Sequence, residues 1–262
     1  MGDARASEAA ALIWQNWRNR SRIDGLPQSC RPETVADGYA AQAQLAALSG
    51  WQQVGWKIAA TSVAGQKHIG VDGPLAGRLL DGKLYHDGAT LPAAHLHMAV
   101  VEAEFVFRLA SDLPARGRDY TPQDVVDATA ALHIGIEVPD SRFEDFTIVG
   151  APQLIADNAC TEYFVLGPAL PVTWRDMDLA AHPAYLTING KVAAEGIGAN
   201  ALGDPRIALA WLANDRITHG TPLLAGEITT TGTCIVPVAI APGDQVMADF
   251  GALGRVTVHF AD

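Results

Sequence analysis

Val100-Val101-Glu102-Ala103-Glu104-Phe105-Val106-Phe107-Arg108-Leu109 is a β-type run that carries two acidic residues one position apart. Side chains alternate along a strand, so Glu102 and Glu104 share one face while Val101, Ala103, Phe105 and Phe107 occupy the other. Two charges about 7 Å apart repel by roughly 2 kcal/mol at an effective dielectric of about 20. A third carboxylate, Glu137, sits inside a second apolar run, His133-Ile134-Gly135-Ile136-Glu137-Val138. Either these carboxylates are hydrated on an exposed sheet face, as antiparallel sheets allow, or a hard divalent cation such as Mg²⁺ or Mn²⁺ offsets their repulsion and keeps positions open for substrate oxygens.

Outward from this run the chain divides by pattern. Residues 1–50 read as two helices forming a cap. The first is expected to start at Ser7 and end near Gly25, the second to run from Pro32-Glu33-Thr34 to Gly50. Short β-type runs follow at 55–60, 100–109, 134–138, 163–166, 185–194, 227–236, 245–250 and 255–260. Two helices punctuate them, starting at Thr121-Pro122 and Asp204-Pro205, each with a capping residue before a proline. Asn189-Gly190 signals a type I′ hairpin, so adjacent strands there are antiparallel. The expected architecture is α+β, with a helical cap over residues 1–50 and one β-rich domain over 51–262.

The chain has 262 residues, 49% hydrophobic and 18% charged, enough for a sizeable core. Its net charge of -11 argues against a nucleic-acid partner, which needs clustered Lys and Arg. No apolar stretch approaches the ~20 residues of a membrane span and no signal peptide is evident, so the cytoplasm is the expected location. Three scattered cysteines form neither a disulfide framework nor a zinc motif. His133 shares a strand face with Glu137 and reads as a hydrogen-bonded structural histidine.

Other motifs fail on context. Gly196-Ile-Gly198-Ala-Asn-Ala201 fits the dinucleotide pattern, but a hairpin precedes it and the following helix starts later, at Asp204-Pro205. Neither Gly-x-Ser-x-Gly nor a P-loop occurs. Lys57, in the apolar run Trp56-Lys57-Ile58-Ala59-Ala60-Thr61, faces either a cleft or an acidic partner, or else snorkels from an edge strand.

Seven ordered segments resemble the fumarylacetoacetate hydrolase superfamily, in its 2-oxopent-4-enoate (2-keto-4-pentenoate) hydratase and 4-oxalocrotonate decarboxylase branch. They are Trp56-Lys57-Ile58 through Thr61, Gly70-Val71-Asp72-Gly73-Pro74, Val101-Glu102-Ala103-Glu104, Ile136-Glu137, Asp140-Ser141-Arg142-Phe143, Ala156-Asp157-Asn158-Ala159 and Ala241-Pro242-Gly243-Asp244. The resemblance covers nearly the whole chain. It implies a mixed, mainly antiparallel fold of that family behind the helical cap, and a metal, Mg²⁺ or Mn²⁺, held by Glu102, Glu104 and Glu137. It also implies Lys57 as a catalytic group and Thr61, Asp157, Asn158, Cys160 and Thr231 as substrate-binding residues. A small 2-oxo acid would be the substrate, and the protein a homo-oligomer that can associate with a pathway enzyme.

Two positions depart from the family pattern. The branch's hydratases generally carry Pro-Asp-aromatic-Gly where this chain has Pro74-Leu75-Ala76-Gly77, and Leu75 cannot move a proton. Its decarboxylases generally carry an aliphatic residue there, which makes Leu75 a specificity position. Cys160 stands where serine is usual, and a thiol is the weaker hydrogen-bond donor. The resemblance therefore implies a metal-dependent lyase of aromatic meta-cleavage catabolism. Hydration of 2-hydroxypenta-2,4-dienoate-type acids is the first expectation and 4-oxalocrotonate-type decarboxylation the second. A catalytically silent oxo-acid-binding or partner subunit is the reading of a different class. Arg142 and Arg78 are candidates for a distal substrate carboxylate, against a role in surface ion pairs.

Overall fold

Burial alternates in sequence but not in outcome along Val100–Leu109: both faces of this strand are covered, one by a large apolar core and the other by a smaller chamber. The computed structural model describes residues 1–170 and 172–262. In chain order its first elements are α1 (Asp3–Asn19), α2 (Val35–Ser49), β1 (Gln53–Ala59), α3 (Val63–His68), β2 (Leu75–Leu80), β3 (Leu84–His86) and β4 (Ala89–Pro92). Then come β5 (Val100–Leu109), α4 (Pro122–Asp127), β6 (Thr129–Val138), α5 (Ala151–Ala156) and β7 (Tyr163–Ala169). The rest comprises β8 (Pro183–Ile188), β9 (Lys191–Ile197), α6 (Pro205–Thr218), β10 (Ile228–Thr233), β11 (Val238–Ala239), β12 (Gln245–Asp249) and β13 (Arg255–Ala261).

The strands form two sheets. One has the order β2-β1-β10-β5-β6-β7-β3 with β11 also on β5, and the other has the order β4-β13-β12-β8-β9. Pairs β1·β10, β3·β7 and β4·β13 are parallel and the others antiparallel, the mixed and mainly antiparallel α+β architecture expected. Phe105 packs edge-on against Phe250 beside β12 with ring centroids 4.9 Å apart, which joins the two sheets across the main core.

The opposite face of β5 looks into a roll. Leu79 of β2, Ile228 of β10, Val106 of β5, and Phe164 and Leu166 of β7 form one cluster, although β2 and β7 stand far apart in the strand order. In a flat sheet β1 and β6 would be roughly 14 Å apart. Lys57 Nζ of β1 nevertheless lies 2.8 Å from Glu137 Oε1 of β6, so the sheet curls around this face.

Local signals account for most boundaries. Thr34 and Asp37 make a reciprocal capping box at α2, and Gly50 closes it at φ 70. Thr121 and Asp204 cap α4 and α6 before their prolines. Asn189 and Gly190 both have positive φ, as a type I′ hairpin between β8 and β9 requires. The first helix departs from expectation at both ends: it starts at Asp3, not Ser7, because the alanine-rich opening is itself helix-forming, and it stops at Asn19, where Arg20 turns left-handed. Strand β2 escapes detection because Leu75 to Leu80 is buried on both faces and shows no alternation.

Helices α1 and α2 pack on α5 through Ala9, Ile13, Trp17, Leu45, Phe143 and Ala156, a second apolar cluster. That layer backs the turn after α5, where the chain reaches the chamber. Among the described residues no helix is long and apolar enough to cross a membrane.

Candidate active site

Register brings the acids together. Glu102 on β5 stands directly opposite Glu137 on β6, and Glu104 stands opposite Gly135. Carboxylate oxygens of Glu102, Glu104 and Glu137 all lie within 4.8 Å of one another, with Glu104 and Glu137 buried and Glu102 partly exposed. The alternative of a hydrated surface face is therefore ruled out for Glu104 and Glu137. Lys57 supplies the cation facing them: its Nζ lies 2.8 Å from Glu137 Oε1 and donates to the Ala159 carbonyl at 2.8 Å. It is 3% exposed, so the snorkelling reading fails.

Backbone conformation frames the acids. Gly232 donates its N–H to Glu104 Oε2 at 2.9 Å. It does so at φ +88, where a Cβ would lie 2.2 Å from Thr61 Oγ1, so only glycine fits. Gly77 is equally constrained, since a Cβ there would approach the Asn158 carbonyl to 2.5 Å and Lys57 Cδ to 3.1 Å.

Burial sets the protonation tendencies. Desolvation, and then the charge of Glu137, push the Glu102 carboxyl up to about 7, against the pull of Lys57. The same two causes, with Glu102 added, raise Glu104 well above the ordinary carboxylate range. Burial opposes the charge on Lys57, but Glu137 and Glu102 outweigh it and its pKa rises.

This donor set fits a divalent metal. Three carboxylates face one lysine, the ligand atoms are all oxygens, and Glu104 Oε1 is buried with no hydrogen-bond partner.

The turn after α5 is held from within the protein. Asn158, Ala159 and Cys160 all have left-handed φ values of 53, 50 and 60. Such residues cost roughly 1–2 kcal/mol each without glycine. Buried partners hold them there. Asp157 accepts from Ser141 Oγ at 2.7 Å, from the Arg142 N–H at 3.0 Å and from Arg142 Nε. Asn158 accepts from the Arg78 N–H at 2.7 Å and donates to the Arg78 carbonyl at 2.9 Å, tying the turn to β2. Asp157 and Asn158 thus have their side-chain polar groups engaged by the protein. They position the turn that aims the Ala159 carbonyl at Lys57.

The remaining expectations divide. Thr231 donates to the Phe105 carbonyl at 3.2 Å, so its hydroxyl serves β5. Thr61 is buried against Gly232, beside the Glu104 anchor. Cys160 is a buried thiol pushed up to about 12 by desolvation, and then by Asp157, so it stays neutral. Leu75 pairs with Ala59 and, by alternation, shares the face of Gly77, whose partner is Lys57. Arg142 is neither a surface ion pair nor a free cation, being buried in the Asp157 network. Arg78 bonds Gln53 and lies 4.6 Å over the Trp56 ring. His133 bonds the Gly167 carbonyl at 3.0 Å, a structural histidine as read.

Sequence reading missed Thr230. It stands opposite Val106, on the face that carries Glu104, and its hydroxyl is buried without a partner. The run Thr229-Thr230-Thr231 inside an apolar strand was the available signal.

Residues 82–261 match the fumarylacetoacetate (FAA) hydrolase C-terminal family. The chain belongs to the fumarylacetoacetate hydrolase family. Within it, this family member is 37% identical to a 2-keto-4-pentenoate hydratase of Paraburkholderia phymatum, covering 99% of each chain. It is 34% identical to a 2-hydroxyhexa-2,4-dienoate hydratase of Comamonas testosteroni over 95% of each chain. Among solved structures it is similar to the 4-oxalocrotonate decarboxylase of Pseudomonas putida G7 complexed with magnesium and adipate, at 28% identity and a TM-score of 0.90, covering 99% of this chain and 98% of that one.

Two outcomes follow from this geometry. Asp157→Asn removes the nearest carboxylate from buried Arg142 and leaves only Glu162 at 3.8 Å, and should cost about 3–5 kcal/mol of stability in urea unfolding. In metal-free protein, the raised Glu102 value contributes stability that is full below the unfolded value of 4.5 and is lost as pH rises through about 7, and the raised Glu104 value acts in the same direction. The melting temperature of chelator-treated protein should fall across that window, with a shallower fall in Glu104→Gln; a rise would contradict the crowding of charge.

Proposed function

We propose that this protein is a divalent-metal-dependent lyase that hydrates 2-hydroxypenta-2,4-dienoate-type acids to 4-hydroxy-2-oxo acids in the breakdown of aromatic compounds. The observation that carries the reading is the cluster of partly exposed Glu102 with buried Glu104, Glu137 and Lys57, in a chain that aligns end to end with named hydratases. Mg²⁺ or Mn²⁺ is the proposed ion, since both favour oxygen ligands. When bound, it supplies a Lewis acid beside the carboxylate and 2-oxygen of the substrate.

Lys57 does the remaining electrostatic work. An ammonium has three donors; the Ala159 carbonyl accepts from one and Glu137 pairs with the charge, which leaves donor capacity for the substrate carboxylate or for the oxygen where enolate charge develops. The left-handed turn keeps that group in place while the charge changes. Protonation at the distal carbon gives an α,β-unsaturated ketone, and water then adds to it at the 4-position.

Leu75 favours a second reading. It offers no proton on the Lys57 face, and decarboxylation of a 4-oxalocrotonate-type acid demands less proton transfer. There the conjugated 2-oxo system accepts the electron pair released as CO₂ departs. A cytoplasmic homo-oligomer, able to associate with a pathway enzyme and divided at residue 50 into cap and catalytic domain, belongs to the same proposal by likeness to the family.

Metal-loaded protein incubated with 2-hydroxypenta-2,4-dienoate and with 4-oxalocrotonate distinguishes the readings by product mass. Gain of water supports the hydratase, loss of CO₂ the decarboxylase, and ligand binding without turnover a silent or partner subunit. Lys57→Met should lower turnover far more than metal affinity measured by calorimetry; equal losses would make the lysine structural. Leu75→Asp should raise the share of hydration, and an unaltered product ratio would remove that position as the determinant.

A further inference from the structure

A cleft of about 410 Å³ opens between α1 and the edge of the first sheet, lined by Trp14, Trp17 and Trp51 and by none of the four residues of the carboxylate chamber. The three indoles meet edge-on, with centroids 5.3 to 6.1 Å apart. Trp17 has Arg142 at 4.3 Å and Lys83 at 5.5 Å from its ring.

Three residues that line the cleft each carry a polar atom buried without a partner, Trp17 Nε1, Arg22 Nε and His95 Nδ1. Trp17 is 7% exposed and the Arg22 side chain 9%. Its two carboxylates are already engaged. Asp140 is held by Arg22 and by the N–H groups of His97 and Met98 at 2.8 Å each, and Glu162 by Lys83 at 2.5 Å. Arg18 and Arg20 stand exposed at its rim and have no carboxylate partner among the described residues. In a chain of net charge -11, such a local excess of cations is not background.

We propose that this cleft is a second ligand site, which takes a small aromatic carboxylate. The indoles offer faces and edges for a flat ring. Trp17 and Arg22 line the cleft, and Arg18 and Arg20 at its rim attract the negative charge. The volume suits a small molecule. Arg142 lines the cleft and also holds Asp157, so the cleft and the chamber share the turn that carries Ala159 to Lys57.

The test is titration of metal-loaded protein with benzoate, and separately with inorganic phosphate, followed by tryptophan fluorescence and calorimetry. Benzoate should bind wild type and Glu104→Gln alike, and phosphate more weakly because it has no ring. Arg18→Glu combined with Arg20→Glu should weaken benzoate at least about tenfold, the effect of losing one charge-assisted hydrogen bond. The milder Arg18→Ala with Arg20→Ala should show an intermediate loss, and circular dichroism checks the fold of each variant. Benzoate affinity unchanged by charge reversal, or abolished in Glu104→Gln, or absent at millimolar concentration, overturns the proposal, as does phosphate binding as tightly as benzoate. These outcomes are independent of which reaction the chamber performs.

Discussion

Three carboxylates enclosed with a single ammonium are the constraint around which this protein is arranged. At separations of up to 4.8 Å, each carboxylate pair repels by at least roughly 3 kcal/mol at an effective dielectric of about 20. Lys57 offsets part of this through Glu137, while desolvation first and the remaining repulsion second raise the Glu102 and Glu104 pKa values. Protonation or a bound divalent cation would relieve the rest, and Glu104 Oε1, buried without a hydrogen-bond partner, is free to take either.

The surrounding structure maintains that arrangement at a conformational cost. Asn158, Ala159 and Cys160 remain left-handed because Asp157, Arg142 and Ser141 form a buried network behind them and Asn158 clamps Arg78 in front. Gly77 and Gly232 remove the side chains that would obstruct Lys57 and Thr61. The α1–α2 layer adds weight from outside by packing on α5, which feeds directly into the turn. Strain near a reactive group persists where neighbouring contacts over-determine it, and this turn meets that condition.

Residues whose roles are local were legible. Thr34, Asp37 and Gly50 bound a helix through contacts a few positions apart, and Asn189-Gly190 dictates its own turn. The carboxylate cluster was legible in part, because alternation puts Glu102 and Glu104 on one face whatever the partner strand. The hold on Asp157 and Asn158 was not legible, because their partners Arg142 and Arg78 are distant in sequence and meet them only in the fold. The start of α1 was misplaced because alanine-rich sequence continues a helix past an available cap.

The amino-acid sequence by itself determined the alternation of β5, the caps of the helices, the overall acidity and the chemistry of the donor atoms, since each depends on residue type and on neighbours within a few positions. Tertiary structure decided that Glu137 stands opposite Glu102, that Lys57 crosses the roll to reach it, and that three tryptophans gather beside α1. Those depend on strand register and sheet curvature, which arise from the packing of the whole chain and which no short segment encodes.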